Sequence, residues 1–80
     1  MSVEKAEGLQ VREEPVPPFR MKITSYKIGD AYHCVVDNVD PGAIIARSEG
    51  STRTEAEGKA VTRARERLEH SIASLRFRQE

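Results

Sequence analysis

The chain predicts an α+β domain of order β-β-β-α: a three-stranded antiparallel meander followed by one long C-terminal helix packed on one face. Three observations carry this. Segments Arg20–Ile28, Ala31–Asp37 and Ala43–Ser48 have strand length and strand-type patterning. Short connections rich in turn formers separate them. Gly50 to Leu75 then reads as one amphipathic helix with its start signal written out.

Residues 1 to 18 predict a flexible N-terminal arm. Glu and Lys dominate its start, and Pro15, Pro17 and Pro18 close it. A Pro-Pro pair favours an extended stretch that cannot join a central ladder. The folded domain is expected over 19–76, with a frayed tail at 77–80. In the first strand Met21, Ile23 and Ser25 share one side, and Lys22, Thr24 and Tyr26 the other. Gly29-Asp30 is a two-residue turn, where Gly supplies the positive φ of a primed hairpin. In the second strand Tyr32, Cys34 and Val36 oppose His33 and Val35.

The helix start is specific. Thr52 lies three residues before Glu55, a capping box in which hydroxyl and carboxylate each take a free amide. Ala56, Ala60, Ala64, Leu68, Ile72 and Leu75 then form one apolar stripe. Its alanine half permits close approach to the sheet. Glu55 with Lys59, and Arg65 with Glu69, have the favourable spacing of four. Gly58 costs about 1 kcal/mol relative to Ala in a helix and is read as a mark of close backbone contact.

Eighty residues allow one small core. Cys34 is the only cysteine, so no intrachain disulfide forms, and an unpaired thiol fits a reducing, cytoplasmic setting. The start MSVEKAEGLQ has no apolar signal region, and no stretch reaches membrane-spanning length. Association is therefore the expected stabiliser, as a homodimer or with a small protein partner. The 13 basic and 13 acidic side chains cancel. Residues 1–40 carry five basic and seven acidic groups (−2), and residues 41–80 carry eight and six (+2). A nucleic-acid module has a clearer basic excess.

No catalytic or metal-binding constellation is legible, and no cofactor or small-molecule substrate is expected, so the chain is read as non-enzymatic. His33 and Cys34 point to opposite faces of a strand, and there is no second cysteine for zinc. Asp37, Asn38 and Asp40 lack the spacing of a calcium loop and are read as turn residues. Gly50-Ser51-Thr52 opens a helix beside Arg53, a place where free amides can meet an anion. One helix covers one face of a sheet. With Tyr32, Cys34, Val36 and Ile44 against the helix, the open side carries Tyr26, Ile28, Val35 and Ile45, the expected protein interface. Dimerisation through that face, or through an unpaired edge, would bury it. The alternative reading is nucleic-acid binding through the basic helix residues Arg53, Lys59, Arg63 and Arg67.

Tyr32, Asp40, Pro41, Gly42, Gly50, Thr52, Glu55 and Ala56 occur in the order found in HicB-type antitoxins, and about 45 residues resemble that N-terminal domain. The resemblance implies a three-stranded sheet plus a helix that binds and masks a small ribonuclease toxin. Arg53-Thr54-Glu55-Ala56-Glu57 also resembles the helix start in the C-terminal half of a double-stranded-RNA-binding domain. Arg53 and Ala56 match there, while Thr54 and Glu57 replace two basic residues. That resemblance implies RNA contact through the helix.

Overall fold

The computed structural model describes residues 7–39 and 42–78, with side chains described as far as 72. The order is β1 (Glu7–Val16), β2 (Phe19–Ile28), β3 (Ala31–Asn38), β4 (Ile44–Gly50) and α1 (Arg53–Arg78). All four strands form one antiparallel sheet in the order β1-β2-β3-β4. The helix lies across β2, β3 and β4 on one face.

The expected α+β class with a terminal helix is present, but the sheet has one strand more than expected. Residues 7–16 are that strand, so the flexible arm over 1–18 is corrected here; residues 1–6 lie outside the described residues. Pro17-Pro18, read as an extended stretch, is a two-residue reversal with a cis peptide bond that sets Val16 opposite Phe19. Pro15 is tolerated because β1 is an edge strand, where a missing donor can face outward. At the far end Gly8, with φ +59°, sits in an irregularity between Glu7↔Lys27 and Gln10↔Ser25. A glycine in this conformation accommodates the extra residue of a bulge. The helix continues through Arg78, past the expected start of the frayed tail, and Gln79 and Glu80 lie outside the described residues.

The hairpin of β2 and β3 turns at Gly29-Asp30 with Gly29 at φ +59°, as its sequence requires. Side chains alternate as read. Met21, Ile23, Ser25, Cys34 and Val36 are buried under the helix, against Ala56, Ala60, Ala64 and Leu68. Three successive alanines on the stripe let α1 descend close to the sheet. Ala46 is the buried residue that β4 contributes.

The third strand of the meander departs from its expected facing. Ala46 pairs with Val36, but Asp37 pairs with Ile44, so Ile45 is the extra residue of a bulge. A bulge re-aims side chains. Ile44 therefore stands on the open face, 52 % exposed, and Ile45 packs against the core, the reverse of the expected assignment.

The helix start follows its signal with one shift. The Glu55 amide donates to Thr52 Oγ1 at 3.1 Å, so Thr52 is the cap. The Glu55 carboxylate reaches back to Ser51, whose hydroxyl donates at 2.9 Å and whose amide donates at 3.4 Å, rather than to Thr52. Lys59 pairs with Glu55 at 3.0 Å as spaced, and this pairing, with Ser51, holds the Glu55 carboxyl below its ordinary value. Arg65 does not pair with Glu69; it crosses to Glu14 on β1 at 2.6 Å. Gly58 marks no close approach either, since a Cβ there would meet nothing within 4 Å.

Candidate functional site

The open face is laid out in rows by the register. Val11, Thr24, Val35 and Arg47 form one row, and Glu13, Lys22, Asp37 and Ile44 the next. Beyond the first row, Tyr26 and His33 lie opposite each other with rings stacked at 5.5 Å and 16°, and His33 Nδ1 is 3.8 Å from Glu49. Of the four expected interface residues, Tyr26, Ile28 and Val35 are on this face, each half-buried by its strand neighbours. Ile45 is not, because the β4 bulge turns it inward. Val11, 51 % exposed, extends the Val35–Thr24 row by one strand, a place that the three-strand reading left vacant. Its face assignment was hidden because β1 was read as an arm.

The two sheet edges are treated differently. The Val39 amide donates to the Arg20 carbonyl at 3.0 Å, so Arg20 faces β3. Backbone groups alternate along a strand. Met21, Ile23 and Ser25 therefore face β1 and pair with Glu14, Arg12 and Gln10, which leaves Val11, Glu13 and Pro15 facing outward. On β4 the same alternation turns Ile45, Arg47 and Glu49 outward. There Arg63 donates to the Arg47 carbonyl at 3.1 Å, and Arg67 donates to the Ile45 carbonyl. Side chains from the helix thus occupy the acceptors along one edge. On β1 a helix arginine reaches only the Gly8 carbonyl at the bulge, and among the described residues no helix side chain bonds the outward groups of Val11 and Glu13.

The four basic residues singled out in the alternative reading are now accounted for. Arg53 turns inward: it donates to Ser25 Oγ at 2.7 Å and to the Gly8 carbonyl at 2.6 Å, and lies 5.4 Å over the Tyr32 ring. Lys59 is held by Glu55, and Arg63 and Arg67 by β4. Lys59, Arg63 and Arg67 remain one row at steps of four, and the first two border an open concavity of about 450 Å³ shared with His33, Arg47, Ser48 and Glu49. At the helix start the Ser51 and Glu55 amides are taken by the cap residues, and Arg53 points away.

Sequence reading missed a polar seam between β1 and α1. Ser25, only 1 % exposed, donates to Glu57 Oε2 at 2.9 Å and accepts from Arg53. Arg12 donates to Glu57 Oε1 at 3.2 Å and also pairs with Glu14. Hydrogen bonds from Arg12 and then Arg65 hold the Glu14 carboxyl below its ordinary value. The signal was present: Arg12 and Glu14 alternate with Val11, Glu13 and Pro15 at strand spacing. The Ser25 hydroxyl has both its proton and a lone pair committed, and burial closes the approach an electrophile would need. Cys34, its neighbour across the ladder, is fully buried, and burial pushes its thiol up to about 11, far from the thiolate a nucleophile requires.

Among the described residues no three His, Cys, Asp or Glu side chains converge as a metal site, and no helix is long and apolar enough to cross a membrane. No family model matches the chain, and neither does any curated protein or solved structure.

Proposed function

We propose that this protein is a non-enzymatic protein-interaction module that self-associates and uses its open sheet face to hold a small protein partner, in antitoxin-like fashion. One observation carries the reading: a four-stranded face that presents Val11 and Val35 on either side of Thr24, with an aromatic pair beside that row, has no layer over it among the described residues. Uncovered apolar sheet surface favours association. The small core points the same way, since among the described residues four of the nine buried hydrophobic ones are alanines. The HicB-like residue order supplies the class of partner. The polar seam and the inert thiol support a non-enzymatic role.

The test is retention by the tagged chain of a small basic protein encoded beside it. Retention is expected from the unsubstituted chain and is lost in Val35→Lys, which replaces an apolar side chain in the middle of the face with an ammonium group. Retention that survives both Val35→Lys and Tyr26→Glu rejects the face as the docking surface. Retention of duplex RNA that falls steeply with salt, and is lost on Lys59→Glu with Arg63→Glu, would replace the proposal with the nucleic-acid reading.

A further inference from the structure

We infer that two copies of this chain join through the outer edge of β1, antiparallel and about a two-fold axis at Val11, forming one continuous sheet. The inference rests on the self-association proposed above and names the surface that performs it. It follows from the contrast between the edges. On β4 the outward carbonyls of Ile45 and Arg47 already accept from Arg67 and Arg63, and those side chains lie where an added strand would run. On β1, a ten-residue strand, the outward groups of Val11 and Glu13 have no such cover. Unpaired edges of this kind accept a further strand. Leu9 and Val11, 62 % and 51 % exposed, add apolar surface at the same place.

The charges on β1 select the second copy and its register. With the axis at Val11, that residue meets itself and the pair exchanges both backbone bonds. Arg12 then stands opposite Gln10 of the second copy, and Glu13 opposite Leu9, so no like charges meet. Moving the axis to Arg12 sets two guanidinium groups face to face. Moving it to Glu13 opposes two carboxylates and brings Pro15, which has no donor, opposite Val11. Like charges directly opposite each other disfavour a strand pair. The joined sheet doubles the open face and carries Val11 and Val35 of both copies on one surface.

Sedimentation of the full chain is the test. The unsubstituted protein is expected at twice its 9.0 kDa mass at micromolar concentration. Val11→Pro removes an outward donor that takes no part in the β1–β2 ladder, so it weakens association at least tenfold while the circular dichroism stays unchanged. Val11→Thr keeps the donor and keeps the dimer. Should Val11→Pro fail to fold, Val11→Cys reports instead. Oxidation then yields a covalent dimer, because directly opposed strand residues fall within disulfide reach, whereas Arg47→Cys on the capped edge yields none. A Val11→Pro chain that folds and stays dimeric overturns the inference. So does an unsubstituted chain that sediments at 9.0 kDa yet retains its protein partner, which leaves the docking face intact. A 9.0 kDa chain that retains nothing removes both proposals.

Discussion

Gly58 occupies an exposed helix position, and a methyl group there would touch nothing within 4 Å. Its cost to the helix is therefore uncompensated by packing. Gly58→Ala is expected to stabilise the fold by about 0.5–1 kcal/mol, read as a higher midpoint in urea at an unchanged slope. Glu14 behaves in the opposite sense under acid. Its folded-state pKa lies below the ordinary 4.5, so the unfolded chain binds the proton more readily. The stabilisation from its two arginine partners is complete above about pH 4.5 and is lost as the pH falls through the lower, folded value. Glu14→Gln should flatten that acid limb in thermal melts recorded across the range, and an unaltered limb would show that the seam does not hold in solution. Such residue-level pairings were only partly legible. The Thr52–Glu55 cap and the Lys59–Glu55 pair are local, and spacing alone exposes them. Arg65 joining Glu14 spans 51 positions, and no helical spacing reports a partner on another element.

At the scale of elements, patterning recovered β2, β3 and α1 because their alternation or stripe is long and uninterrupted. β1 was hidden by its prolines, whose extended preference is the same whether the segment is solvated or paired at an edge. It also carries its charge on the covered side: Arg12 and Glu14 face α1, and Val11 faces outward, which inverts the usual rule of apolar in and polar out. The β4 bulge is a second failure of the same kind. A one-residue insertion exchanges Ile44 and Ile45 between faces, and two adjacent isoleucines give no hint of which is buried. The candidate interface was legible to the extent that it rests on β2 and β3, and illegible where it depends on β1 and β4. The arginines over β4 lead to a prediction at this scale. Arg63→Ala with Arg67→Ala uncovers the Ile45 and Arg47 carbonyls and should add a heavier species in sedimentation, at a stability cost of about 1 kcal/mol or less. Unchanged mass would mean that those side chains do not guard the edge.

For the molecule as a whole, a four-stranded sheet with one covering helix has a buried side and a side facing away from it. The buried side is filled by a few large residues and a run of alanines, which brings the layers close and leaves little volume to hold the fold together. Polar ties across the β1–α1 seam add breadth to that thin core. They are mostly exposed pairs of the kind worth about 0.2–1 kcal/mol each. Under the proposed association, the remaining apolar surface would add to that stability once another chain covers it.

The unequal treatment of the two sheet borders also sets how far growth can go. A unit with two receptive borders would add neighbours head to tail without limit, as fibres do. Here the helix arginines leave a single receptive border, and a symmetric union uses it up on both members at once. The edge pairing proposed above would therefore end at a closed pair, with two long cations placed four residues apart on a helix setting the limit.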